Sequence, residues 1–347
     1  MKKYFLVASA VLATSFTALA GTLSTKGIPT SAGVIFHLDL EAVEKSKISQ
    51  VADSEESRGK IKKSIARLFG RASADAPENA DISSIGSIAD ITVAVTTPEN
   101  GALDPNYVIA PDIVIVRGNF NLEKFDNFAK SRHAATTSVI KNRTFYKLQG
   151  RLPWGNPFAS FATLIDANTI LFAADEAATT AALATLTGNA KSYTAPTPLL
   201  SYGRNIGAPF AFFYLNGKIL PKQRTDSSAK QMTPLPPNPA HVFLVLGEKA
   251  GDIKLRLSAT YPTASDQQSV QAFMQMGLAM IQGRIANTND SDGNPDPKKV
   301  KRSARLKSLL DAIKITTSEP NYVSLAFDYS SEKIIQFAKE ASAANNP

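Results

Sequence analysis

The chain of 347 residues carries 38 Lys and Arg against 30 Asp and Glu, a net charge of +8, with 44% hydrophobic residues and no cysteine. That apolar content builds a sizeable core and excludes a wholly disordered chain. The missing cysteine excludes disulfides, thiolate metal sites, iron–sulfur clusters and cysteine nucleophiles.

Residues 1–20 read as a secretory signal peptide. Lys2 and Lys3 precede an apolar run from Tyr4 to Leu12, and Ala18-Leu19-Ala20 supplies the small residues of a cleavage site after Ala20. The run is shorter than the roughly 20 residues of a membrane span, and no cysteine follows it to carry a lipid. The mature chain is therefore expected to be periplasmic or secreted, with no transmembrane span, and with a net charge of +6 once Lys2 and Lys3 leave. At about 150 residues per domain, two domains are expected. Residues 21–190 form the first and 209–347 the second, joined by a Thr-, Pro- and Gly-rich linker over 191–208.

Five segments share one pattern, an apolar strand, a polar turn and a helix. Val34–Leu38 alternates like a strand and runs through Asp39 into a helix beginning at Leu40. Arg58–Arg71 reads as an amphipathic basic helix with Ile61, Ile65, Leu68 and Phe69 on one stripe. Ile113–Val116 is a continuous β-branched run of the fully buried kind, followed by a helix from Leu122 with Asn121 as its cap. Thr169–Ala173 leads through Asp175 into an alanine-rich helix, Ala177–Leu186. Lys254–Leu257 precedes a helix over Asp266–Ile281 capped by Thr263 or Ser265, and Tyr322–Phe327 precedes a C-terminal helix opened by Ser330-Ser331. Further strands are predicted at Ile91–Val95, Phe145–Leu148, Phe161–Ile165, Phe210–Leu215 and Val242–Leu246, with Asp166-Ala167-Asn168 as a hairpin connection. The fold class that follows is α+β: two similar halves of mainly antiparallel sheet, with helices packed on one face.

Asn119–Lys130 (NFNLEKFDNFAK) and Asp328–Lys339 (DYSSEKIIQFAK) share cap, charge and apolar phase after a strand, which points to an internal duplication. The same likeness weakens a phosphate-cradle reading of Gly118. The junction holds one glycine and a Glu in its first helical turn, so Gly118 is read as a turn glycine.

Catalytic signatures are weak. Ser-x-x-Lys occurs at Ser57, Ser138, Ser227 and Ser330 without its partner motifs, and no Gly-x-Ser-x-Gly elbow is present. His37, His133 and His241 lack metal-ligand spacing, and Thr288 and Lys299 break the calcium-loop frame around Gly293. No metal or cofactor is expected. Asp39, Asp112 and Asp175 stand near strand ends, but nothing in their spacing pairs them, so no catalytic residue is assigned. Trp154 lies in a turn-rich loop, either packing a hairpin or offering a carbohydrate platform.

The densest basic run is Lys298, Lys299, Lys301, Arg302, Arg305 and Lys307, with no acid inside it. It reads as a helix whose charged side is either a solvated outer face or an adhesive patch for anionic envelope glycans, lipid headgroups or an acidic protein. Nucleic acid is not expected, since aromatic residues do not interleave with the basic clusters. Phe36-His37-Leu38-Asp39, Val116-Arg117-Gly118-Asn119-Phe120 and the Ala-rich helix after Ala174 resemble exported bacterial proteins of unknown function built from strand–turn–helix units. The resemblance covers most of the first half, and it implies export and an α+β fold but no activity. The first expectation is a non-enzymatic envelope or secreted protein of binding or assembly. The second is a hydrolase of glycan or envelope substrates through paired carboxylates.

Overall fold

The computed structural model describes residues 25–47, 49, 85–97, 111–131, 136–147, 161–194, 206, 208–220, 236–286, 297–317 and 320–345. The signal-peptide segment, the basic helix at Arg58–Arg71, His133, Trp154 and the loop around Gly293 lie outside them.

Within the described residues one mixed fold is built on a single antiparallel sheet of twelve strands. The strands are β1 (Ala32–Asp39), β2 (Gly86–Thr96), β3 (Ile113–Phe120), β4 (Thr136–Ile140), β5 (Arg143–Lys147), β6 (Phe161–Asp166), β7 (Thr169–Ala173), β8 (Ala208–Asn216), β9 (His241–Lys249), β10 (Asp252–Thr260), β11 (Ile313–Thr316) and β12 (Tyr322–Ser330). Their spatial order is β11-β12-β10-β9-β8-β1-β2-β3-β7-β6-β5-β4. The helices are α1 (Leu40–Glu44), α2 (Leu122–Ser131), α3 (Glu176–Leu186), α4 (Ala264–Ala286), α5 (Pro297–Asp311) and α6 (Ser331–Asn345).

The sheet is continuous across the middle of the chain because β1 pairs with β8, Phe36 facing Phe213. From that pair one row of partners runs outward through Val93, Val114, Phe172 and Ala162 on one side. On the other side it runs through Leu244, Leu257, Leu325 and Ile315. The described residues of the segment expected to be a linker take part in this body. Ser192 bridges to Pro29, and Tyr193 and Ile206 are buried in the largest core cluster.

Strand alternation divides the core between the two faces of the sheet. On one face Val114, Val116, Ile170 and Phe172 pack with Phe125 and Phe128 of α2. Leu38, Phe210, Leu246 and Ile253 continue that face under Ala42 and Val43 of α1 and beside Ile334 and Ile335 of α6. On the opposite face Ile35, Ile113, Ile115, Leu171, Phe212 and Val245 pack with Ala178, Ala182 and Leu183 of α3. The expectation that all helices lie on one face is therefore corrected: α3 covers the other. The reason is local, because β3 and β7 are apolar at both odd and even positions and so must be covered twice.

Local chemistry sets the helix starts. Asp39 accepts from the Ala42 amide at 2.7 Å, and Asp175 accepts from the Ala178 amide at 2.8 Å. Asn121 does the same for Lys124 at 3.0 Å. The Thr263 hydroxyl caps α4, accepting from the Asp266 amide at 3.1 Å and donating to the Asp266 carboxylate at 2.8 Å. Asp175→Ala should cost about 1 kcal/mol, read as a lowered urea midpoint with an unchanged slope.

Gly118 is not a turn glycine. It lies inside β3 opposite Ile88, beside a bulge of β2 between Ile88 and Asp90. Its amide donates to the Asn168 carbonyl at 3.0 Å, and its own carbonyl accepts from the Asn168 side chain at 2.8 Å. A Cβ there would press into the Ser87 carbonyl oxygen and stand 2.9 Å from the Phe120 ring. Close approach of two backbones, not a positive φ, demands glycine here.

Candidate functional site

The basic run at Lys298–Lys307 forms α5, as the sequence predicts. This helix lies against α6 and the C-terminal end of α4. Ser303 donates to the Ile285 carbonyl at 2.5 Å, and the Ser308 hydroxyl is 2.8 Å from that of Tyr329. Two of the six predicted charges pair with α6: Lys301, itself exposed, reaches Glu340 at 2.9 Å, and Arg305 pairs with the same carboxylate. The Arg305 guanidinium also sits 5.3 Å from the Phe337 ring centre. Lys307 is exposed. Lys298, Lys299 and Arg302 belong to the helix by their backbone, while their side chains lie outside the described residues. The structure thus brings Lys301 and Arg305 together on one acid and places Lys307 at the surface.

The neighbouring helix α4 was expected only as a long helix, and its surface is unusual. Val270 and Met274 pack inward on Tyr261 and Val323. Outward stand Phe273, Met276, Met280 and Ile281, 46%, 49%, 57% and 49% exposed. Between Gln267 and Gly283 there is no ionisable side chain. Surface helices ordinarily carry charge on their solvent side, so this half-apolar, uncharged face is the feature that reasoning from helix caps and period missed. The signal was in the sequence: three of the five methionines, Met274, Met276 and Met280, fall within one stretch free of charge.

The carboxylates raised as acid–base candidates serve the backbone. Asp39 and Asp175 cap helices, and Asp112 accepts from the amide and hydroxyl of Thr96 at 2.5 and 2.6 Å. Asp39 faces Asp90 across β1 and β2. Burial pushes the Asp39 carboxyl above its ordinary range; the Ala42 amide opposes that, and the nearby Asp90 charge adds to it. Asp90 itself is bound by Arg117 at 2.9 Å, whose other nitrogen donates to the Lys26 carbonyl at 2.7 Å.

His37 lies beside this pair, buried, with Nδ1 2.8 Å from the Thr92 hydroxyl and 3.9 Å from Asp90. Its pKa falls to about 4, because burial outweighs the pull of Asp90 and Arg117 adds to the lowering. It is a neutral core histidine at pH 7. His241, at the start of β9, bonds the Tyr214 hydroxyl at 3.0 Å and is held below its ordinary pKa by burial and then by Lys218. Among the described residues, no three His, Asp or Glu side chains gather as metal ligands would. A shallow, open depression lined by Thr25, Thr30, Lys191, Ser192, Tyr193 and Thr194 contains no carboxylate. No helix of the described residues is long and apolar enough to cross a membrane.

No known family model matches the chain, and no curated protein matches it in sequence. Among solved structures it is similar to the Treponema protein TP0453 in its crystal form I, with 9% identity over 91% of this chain and 96% of that one. The TM-score is 0.42, a level of superposition that carries no argument about fold or function.

Proposed function

We propose that the chain is an exported, non-enzymatic protein of the bacterial envelope or its surroundings that acts through binding or assembly. Its contact is the basic side of α5, and its partner is an anionic envelope component or an acidic protein. The observation that carries this is the charge balance of α5. Six basic residues stand along one helix, and Glu340 is the one carboxylate paired with them among the described residues. Export rests on Lys2-Lys3, the apolar run after them and Ala18-Leu19-Ala20. The engagement of Asp39, Asp112 and Asp175 with backbone amides favours binding over carboxylate hydrolysis.

The mature protein should be captured by envelope fractions at low salt. At 1 M salt, where the Debye length shrinks to about 3 Å, capture should fall about tenfold. Absence of capture at any salt would count against the reading.

We also infer that the two halves are variants of one unit joined edge to edge at β1 and β8. The single row of partners running outward from Phe36 and Phe213 supports this, since it matches β1, β2, β3 and β7 with β8, β9, β10 and β12. On that matching the helix after β3 corresponds to α4. The sequence likeness of 119–130 to 328–339 instead relates α2 to α6, which share a face of the sheet.

A further inference from the structure

We propose that α4 and α5 together dock flat on an anionic lipid bilayer, α4 entering the headgroup boundary and α5 holding the lipid charge. The proposal rests on the envelope-binding reading and names its partner as lipid. Phe273, Met276 and Met280 recur at the spacing of one helix stripe, with Ala272, Ala279 and Ile281 flanking them, all exposed. A neighbouring stripe, Val270 and Met274, is seated on Tyr261 and Val323, so α4 presents a second, exposed apolar side among the described residues.

An uncharged apolar face on a helix of 23 residues is too weakly apolar to cross a bilayer. Its exposed apolar side chains reach only the headgroup boundary, and the attraction to anionic lipid comes from the basic residues of the neighbouring helix. Those basic residues are on α5, tied to α4 through Ser303 and Ile285, with Val300 and Leu306 exposed among them. Charge decides between lipid and a second copy of this chain. Pairing two copies through α4 would bring two basic α5 helices together, and like charges at a contact oppose it. Anionic headgroups satisfy both features at once.

The test is flotation of the mature protein with phosphatidylcholine vesicles, with and without about a third phosphatidylglycerol. Most of the protein should float with the anionic vesicles and little with the neutral ones. The triple change Phe273→Ser, Met276→Ser, Met280→Ser should reduce flotation about tenfold, with unaltered circular dichroism, because all three side chains are half in solvent already. Lys307→Glu should weaken flotation too. Val139→Ser, at an exposed apolar position on β4, should leave it unchanged.

Three results would overturn the proposal. One is equal flotation of the triple variant. Another is a dimer of the free protein in sedimentation that the triple change abolishes. The third is envelope capture that persists while vesicles fail to float, which would leave the broader binding reading standing with a protein or glycan partner.

Discussion

Gly118→Ala should lose about 3 kcal/mol of stability, the upper end for forcing an extra carbon into a packed site. The obstruction is the Ser87 carbonyl of the paired strand, with the Phe120 ring behind it. A flexible side chain can swing away from a new methyl, but a carbonyl within a ladder cannot move without breaking β2 from β3. The comparison is Gly188→Ala, at the end of α3. There φ is +78° and nothing lies within 4 Å of the added carbon, so the cost is conformational and should be about 1 kcal/mol. Urea unfolding of the two variants separates the causes. A loss at Gly118 no larger than at Gly188 would mean that β2 and β3 do not approach as closely as described.

The second large effect is a pH dependence that belongs to His37. Its pKa drops from 6.5 to about 4 because the ring is buried where a charge would lose its hydration. Between those values the unfolded chain holds a proton that the folded chain refuses, so stability rises with pH there. The contribution is complete above pH 6.5 and is lost progressively as pH falls toward 4, on the order of 3 kcal/mol in all. His37→Phe removes the titration. The difference in unfolding free energy between wild type and variant should therefore change by about that amount between pH 7 and pH 4. Comparing the two proteins cancels the other titrating groups, including Asp39. A difference that stays flat over this range would show that His37 accepts a proton in the folded state.

The elements and their starts were legible because they depend on near neighbours. Alternation in Val34–Leu38, the β-branched run Ile113–Val116 and the caps Asn121 and Thr263 each act within a few residues, and the structure keeps all of them. Two short strands escaped. β4 is joined to β5 through Lys141 and Asn142, both at positive φ (51° and 61°), a two-residue turn that an Asn offers in sequence but that Lys141 disguises. β11 has four residues and follows α5 so closely that its alternation is too short to stand out.

The candidate site divides along the same line. The amino-acid order alone determined that α5 is a basic helix and that a long helix runs through the stretch from Gln267 to Gly283, which carries no charge. Only the tertiary structure decided which charges of α5 are spent on Glu340, and that Phe273, Met276 and Met280 face water instead of the sheet. It also decided that Gly118 sits between strands and that α3 lies on the face opposite α2. The physical reason is range. Caps and periodicity are settled by atoms a turn apart, whereas exposure and pairing depend on which distant strand arrives alongside, here β8 beside β1 and β12 beside β10.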